Sequence, residues 1–292
     1  MDLYSIIAGK NDRADDLTTV DLLKSACERQ GINFHVIHSS GYDFSNSLDL
    51  KSGSALYKVS KDGHSTAVFR DLVREDVATV FKDFYTALNK KNTSAIIHKK
   101  FGLPIIKSIF DISAEPATLK SYVNYLGGFP LVIKAAGGSH GVGVIKVDSF
   151  ESLKSLTDYL VKALPNENFM LRSFIDYEYH ARLIVLNDKV IDSIKYDKQN
   201  NDFRSNTEGD ISVSGYKFDT ETEDIAIKAV NLLKADFGGV DILIDKNGIN
   251  HIAEVNTPCF FARAQLLTGY DIAGDLVKHL NNKGARLKDD AR

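Results

Sequence analysis

The stretch from Gly238 to Asn256 restricts the fold more than any other part of the chain. It reads GGVDILID, then Lys246-Asn247-Gly248, then INHIAEVN. An Asn-Gly pair between two alternating apolar runs is the strongest short-range sign of a β-hairpin. With Asn247-Gly248 as a two-residue type I′ turn, the register sets Asp241 opposite Glu254. Side chains alternate faces along a strand, so Asp241, Leu243, Ile252, Glu254 and Asn256 are expected on one face. Val240, Ile242, Ile244, Ile249, Ala253 and Val255 are expected on the other, which is core. Two carboxylates directly across a ladder repel one another unless a cation lies between them. Two readings follow: a solvated face that tolerates like charges, or a site for Mg²⁺ or Mn²⁺, since two acids and an amide supply hard oxygen donors.

The rest of the chain sets the frame for that hairpin. LYSIIAG, the amphipathic TTVDLLKSACERQG and INFHVIHSS read as a βαβ unit, and SALYKVS and TAVFRDL follow it. EDVATVFKDFYTALNKK is predicted to be a helix and closes a small α/β module over residues 1–90. From Lys91, NTSAIIHKKFG is predicted as a helix and LPIIKSIF as a strand. ATLKSYVNYLGG is a helix stopped by Gly127 and Gly128. FPLVIKAA and VGVIKVDS are strands joined by GGSHG, and SFESLKSLTDYLVKAL is a helix capped by Ser149 or Ser152. NFMLRSFI, HARLIVL and KVIDSIKY read as strands, TEDIAIKAVNLLKADF as a helix, and a last helix starts near Ile272. The expected division is 1–90, 91–168 and 169–292, in an α/β chain with α+β subdomains.

Composition narrows the function classes. Among 292 residues, 43% are hydrophobic and 26% charged, which fits a folded globular chain rather than a disordered one. A formal net charge of −3 gives no general attraction to nucleic acid or anionic membrane. Cys27 and Cys259 lack metal-ligand spacing and suggest no disulfide framework, so a reducing cytoplasm fits. No signal segment or membrane anchor is apparent.

Several polar groups are candidates for binding. KAAGGSHGVG joins two strands through four glycines, whose backbone N–H groups can approach an anion closely. It is neither a Walker loop nor a Rossmann fingerprint, and alone it reads equally as a turn. Lys134 ends an apolar strand and needs an anionic partner or a route to water. Arg182 lies within HARLIVLN on an expected inward face, where a guanidinium normally has an acidic partner or a ligand. Arg204 and Asn206 in DFRSN are placed to grip a phosphate or carboxylate. His140 and His180 read as bystanders, and Phe169, Phe174, Tyr177 and Tyr179 as core or as lining of a nucleotide pocket.

Taken together, NDFRSNTEG, GGVDIL, EVN and TGYDIAGDLVKHL resemble the ATP-grasp superfamily, in its RimK-like branch of carboxylate-amine ligases, over roughly residues 91–282. The resemblance implies an ATP-grasp fold preceded by an N-terminal α/β pre-ATP-grasp domain, and it favours the metal reading of the hairpin. It implies phosphate contacts from Lys91 and Lys134, with Gly137, Gly138, Ser139, His140 and Gly141 in the phosphate-covering loop. Adenine contacts fall on the strand from Leu171 through Arg172, Ser173 and Phe174 to Ile175, and ribose falls to Glu178. Arg182, Arg204 and Asn206 are implied around the γ-phosphate and acyl group, and Asp241, Glu254 and Asn256 as metal ligands.

Three positions depart from the pattern: Ser173 and His180 stand where acids are usual, and Thr257-Pro258-Cys259-Phe260 replaces a Ser-Pro-Gly turn. The implied activity is amide formation through an acyl phosphate, with ATP and two Mg²⁺ or Mn²⁺ ions. The implied partners are a carboxylate, glutamate-like in the family's best-known theme, and an amine on a small molecule, peptide or protein terminus. Homo-oligomers are common in the family. The alternatives are a phosphotransferase on the same scaffold and a synapsin-like module that binds ATP without turnover.

Overall fold

A computed structural model describes residues 1–10, 12–89, 94–135, 143–164, 167–198, 203 and 212–291. The chain opens with β1 (Asp2–Ile7), α1 (Ala14–Arg29), β2 (Asn33–His38), β3 (Ala55–Lys58) and α2 (Gly63–Leu72). The three strands form a parallel sheet in the order β2-β1-β3. β1 is buried along nearly its whole length, as a central parallel strand must be. α1 presents Val20, Leu23 and Cys27 to it at helical spacing. Asp62 caps α2 by accepting from the Ser65 amide at 2.8 Å.

The helix expected from Glu75 does not form there. Residues 74–83 run as turn and isolated bridges, with Ala78 beside Ala55 and Phe81 beside Ala235, and helix begins only at α3 (Phe84–Asn89). Val77, Ala78, Val80 and Phe81 are all buried. The β-branched run resists a helix, and extended backbone lets it pack against both neighbouring sheets.

Next come α4 (Ser94–Lys100), β4 (Ser108–Ile109), α5 (Pro116–Leu126), β5 (Leu131–Ala135), β6 (Val144–Val147), α6 (Phe150–Ala163) and β7 (Phe169–Ser173). The strands form a four-stranded sheet, β4-β7-β5-β6, with antiparallel pairings. Strand structure over 103–110 is limited to the two residues of β4. Pro104 and Ile106 instead hydrogen-bond Ile252 through their backbones, at 2.7 and 3.3 Å. Ser149 is the α6 cap and accepts from the Ser152 amide. Leu119, Leu153 and Leu160 of the two helices pack on Leu131, Ile133 and Leu171 in a separate small core. Each such side chain contributes about 1.5–3 kcal/mol on full burial.

The remaining elements are β8 (Tyr177–Leu186), β9 (Lys189–Asp197), β10 (Val213–Gly215), α7 (Thr220–Leu232), β11 (Phe237–Asp245), β12 (Asn250–Asn256), α8 (Ala262–Thr268) and α9 (Ile272–Asp290). The five strands form an antiparallel sheet in the order β10-β9-β8-β11-β12. Its core is continuous with that of the N-terminal sheet, from Leu3 and Leu56 to Phe237 and Leu280. α9 packs on α1 and passes so close to the loop before β3 that a Cβ on Gly284 would lie 2.3 Å from the Gly53 carbonyl oxygen. Among the described residues no helix is long and apolar enough to cross a membrane.

The hairpin of β11 and β12 reaches the expected pairing by a different route. The turn is not the two-residue type I′ form. The Gly248 amide bonds the Asp245 carbonyl at 2.9 Å, Asp245 pairs with Ile249, and only Gly248 has positive φ, at 76°. This is a three-residue loop, in which a type I turn is closed by a glycine in the left-handed region. It puts Ile242 opposite Ile252, both buried, so Ile252 belongs to the core face and not to the acidic one. A bulge at Ala253 restores the register, and Asp241 lies opposite Glu254.

Candidate active site

The four-stranded and five-stranded sheets face one another across a cleft of about 1540 Å³, which the N-terminal sheet closes at one end. Asp241, Glu254 and Asn256 all line it. Asp241 is held at the centre of its sheet between β8 and β12, and its side chain is 10% exposed. Its Oδ1 faces His180 Nε2 at 3.0 Å and Arg182 Nη1 at 3.6 Å, while Oδ2 accepts from Asn256 Nδ2 at 3.2 Å. Burial pushes this carboxyl's pKa up, but Arg182 and His180 more than offset it and hold the group at about 2. Arg182 is buried beside it and keeps its proton more firmly than an ordinary arginine, despite its own desolvation.

Glu254 is different: its side chain is 47% exposed and reaches across the cleft to Lys134 Nζ at 3.6 Å. The acids thus escape mutual repulsion by facing separate cations, one from each sheet. A third cation comes from the N-terminal unit. Lys61 Nζ donates to Asn256 Oδ1 at 2.7 Å. Although the Lys61 side chain is exposed as a whole, its ammonium sits deep in the cleft. That desolvation lowers its pKa, against the pull of Glu254.

The donor set fits a hard divalent ion. Asp241, Glu254 and Asn256 bring two carboxylates and an amide oxygen from adjacent strands to one face, and the amide oxygen already accepts a cation, the Lys61 ammonium. Among the described residues no group of three His, Cys, Asp or Glu side chains is arranged to hold a metal ion; a metal bound here would take the Asn256 amide oxygen as a donor beside the two carboxylates.

The other expected site residues divide three ways. Lys134, Arg172 and Arg182 line the same cleft as the acids. Arg172 has a second employment: Nη2 donates to the Ala253 carbonyl at 3.1 Å and Nε to Ser108 Oγ at 3.0 Å. It therefore ties the bulge of β12 to the small sheet. Ser173, Phe174, Ile175 and Glu178 do not line this cleft. The Ser173 hydroxyl donates to the Leu126 carbonyl at 2.7 Å, Phe174 lies under Lys146 at 5.0 Å, and Glu178 is exposed. Lys91, Gly137, Gly138, Ser139, His140, Gly141, Arg204 and Asn206 lie outside the described residues.

His180, expected as a bystander, stacks on Tyr196 at 4.8 Å and faces Asp241. Sequence reasoning missed Lys61, Tyr196, Phe260 and Arg263. Lys61 carried no local signal, because its partner lies 195 residues away. Phe260 belongs to the turn after Asn256 whose departure from the family pattern marked it as unusual.

A model of the RimK-like ATP-grasp domain matches residues 87–280. A probable alpha-L-glutamate ligase of Pseudomonas aeruginosa is 29% identical over 196 residues, covering 66% of this chain and 63% of the relative. One of Trichodesmium erythraeum is 30% identical over 164 residues, covering 56% and 54%. The chain thus spans less than two thirds of the length of these curated relatives. Among solved structures, the D-alanine–D-alanine ligase of Bacillus anthracis complexed with ATP superposes with TM-score 0.72 at 16% identity, over 100% of this chain and 99% of that one. The ATP-grasp ligase PsnB complexed with minimal precursor, Mg and ADP gives TM-score 0.69 at 15% identity, over 97% of each chain. At these identities the structural likeness establishes the ATP-grasp fold.

Proposed function

Because this chain belongs to the RimK-like ATP-grasp family, we propose that it is an ATP-dependent carboxylate-amine ligase. A substrate carboxylate attacks the γ-phosphate of ATP to give an acyl phosphate and ADP. An amine then attacks the acyl carbon, and phosphate leaves as the amide forms. The observation that carries this reading is the convergence of Asp241, Glu254 and Asn256 with Lys61, Lys134 and Arg182 in one cleft.

Attack by one anion on another needs its charge screened, and catalysis here is positioning and electrostatics. Asp241, Glu254 and Asn256 are the groups that would hold Mg²⁺ or Mn²⁺, two ions in this reading, and the metal would supply screening of the phosphate charge. Lys134, on the small-sheet side, and Lys91 are assigned to the phosphates. Arg182, with Arg204 and Asn206, faces the acyl group, and Asp241 fixes the direction of its guanidinium. The loop around Gly137 to Gly141 covers the phosphates and keeps water from the acyl phosphate. Adenine is assigned to the strand backbone from Leu171 to Ile175, of which Arg172 lines the cleft, and ribose to Glu178, which lies outside the cleft lining. Arg172 supports the metal strand through the Ala253 carbonyl. The division at 1–90, 91–168 and 169–292 belongs to the same reading, with Phe169–Ser173 counted with the small sheet that it hydrogen-bonds. The glutamate ligase relatives favour an amino acid as one reactant, and the precursor bound to PsnB favours a peptide as the other.

The test is ADP release with Mg²⁺ across pools of carboxylates, with and without amines, using hydroxylamine to trap the acyl phosphate as a hydroxamate. Turnover that needs both partners supports the ligase. Amine-independent build-up of a stable phosphorylated product overturns it in favour of a phosphotransferase. Glu254→Gln is expected to lower turnover by at least about 100-fold. Because Glu254 is half-exposed, stability should stay within about 0.5 kcal/mol of the parent. Full activity in that variant would remove the metal assignment.

A further inference from the structure

Asn256 Oδ1 is the one uncharged donor among the three proposed metal ligands, and it already accepts a hydrogen bond from Lys61 Nζ at 2.7 Å. The amide is oriented from both ends, because its Nδ2 donates to Asp241 Oδ2 at 3.2 Å. Lys61 comes from the N-terminal unit, three residues beyond the end of β3. A lysine from outside the metal-bearing sheet therefore aims the oxygen that the metal would use.

The two acids are placed differently. Glu254 meets Lys134, and Asp241 meets Arg182 and His180, but each carboxylate has negative charge to set between its cation and a metal ion. The amide has none. Mg²⁺ takes its oxygen donors at about 2.0–2.1 Å, so an ion on Asn256 Oδ1 would stand within about 5 Å of an ammonium still bonded to that oxygen. Little water screens the repulsion, since the Lys61 ammonium is desolvated in the cleft. Glu254 attracts that ammonium and Arg182 repels it. A second position is close at hand: Lys61 Nζ lies 4.8 Å from the centroid of the Phe260 ring, which Arg13 also faces at 5.5 Å. An aromatic face holds a cation without a carboxylate.

We propose that Lys61 and the divalent ion are mutually exclusive partners of Asn256 Oδ1: the ammonium holds that oxygen in its donor orientation, and the incoming ion displaces it onto the face of Phe260. Lys61 is thus a positioning residue that ties the metal site to the N-terminal unit. Loading the metal removes its hydrogen bond to β12, while Tyr57 of the same unit keeps its bond to the Cys259 carbonyl at 3.1 Å. This rests on the ligase reading for the identity of the metal ligands, but the competition is read by metal binding without turnover.

The experiment follows free Mn²⁺ by electron paramagnetic resonance during titration into the full chain, with and without ADP. Lys61→Met is expected to tighten Mn²⁺ at least about fivefold in the nucleotide-free protein. Lys58→Met is the control for charge alone, since the Lys58 ammonium lines the same cleft but bonds the Thr66 hydroxyl at 3.0 Å, and it should shift the affinity by less than about twofold. In the unsubstituted chain, saturating Mg²⁺ should raise the rate at which an N-hydroxysuccinimide ester acetylates Lys61 at least about threefold. Unchanged or weaker Mn²⁺ binding in Lys61→Met overturns the competition. An equal gain in Lys58→Met, or labelling of Lys61 that Mg²⁺ slows or leaves unchanged, overturns it too. Mn²⁺ binding to the parent with ADP that Lys61→Met leaves unaltered strikes the role of Lys61 alone, whereas no binding by any chain in either condition strikes the metal assignment of the ligase reading with it.

Discussion

Replacing Arg182 by Met tests the electrostatics of the site most directly. The structure pairs Arg182 with Asp241 in the interior of the five-stranded sheet, and holds the Asp241 carboxyl at about 2 against an ordinary value of 3.8. At 1.36 kcal/mol per unit, that depression is about 2–3 kcal/mol of stability. Because the native value lies below the unfolded one, this contribution is complete above about pH 5 and is lost as pH falls through about 2. Arg182→Met leaves a buried carboxylate with His180, the Asn256 amide and the more distant Lys61, and breaking such a pair costs about 3–5 kcal/mol at pH 7. The sign of the pH dependence then reverses. Without its guanidinium the carboxyl's pKa rises, protonation relieves the strain, and the gap between variant and parent narrows on acidification. Urea unfolding from pH 7 to pH 4 measures this, and adding Asp241→Asn to the variant should recover part of the loss at pH 7. A cost below about 1 kcal/mol that does not vary with pH would refute the reasoning.

Three other outcomes are expected. Gly284→Ala sets a methyl 2.3 Å from the Gly53 carbonyl, so the net effect should be destabilising, with about 1–3 kcal/mol of overpacking outweighing a helix-propensity gain of about 1 kcal/mol; an unchanged melting temperature would show that the α9 contact yields freely. Burial lowers the Lys58 ammonium to about 8 from 10.5, so the unfolded chain binds the proton more tightly and stability should rise with pH between those values, an increase that Lys58→Met should abolish in urea titrations. Burial lifts Cys27 to about 11 and Cys259 to about 12, so a thiol-specific disulfide reagent should label neither in the native protein and both in denaturant; rapid labelling of either would contradict the packing.

What could be read from the sequence was governed by range. Local periodicity located β1, α1, α5, α6 and the central strands β8 and β11, since each buries one face or both in a regular pattern. It failed at residues 75–83, where the same apolar residues fit a helix and only contacts with Ala55 and Ala235 decide for extended chain. The pairing of Asp241 with Glu254 was legible, but the turn and the bulge that produce it were not. An Asn-Gly pair suggests the two-residue turn, and nothing local announces that Arg172 will take the Ala253 carbonyl. Lys61 and Arg13 were illegible for the same reason, each unremarkable until its segment meets Phe260, and only the turn that carries Phe260 was marked as unusual.

The two irregularities of the hairpin are of opposite phase, one at the tip and one at Ala253, and each undoes the other. The spacing between acid and tip is thus a matter of parity. Straightening the bulge alone would set Ala253 opposite Asp241 and rotate Glu254 toward the core. The face of Glu254 is therefore decided at the bulge and not at the tip, and the carbonyl that Arg172 grips marks where that extra residue is taken up.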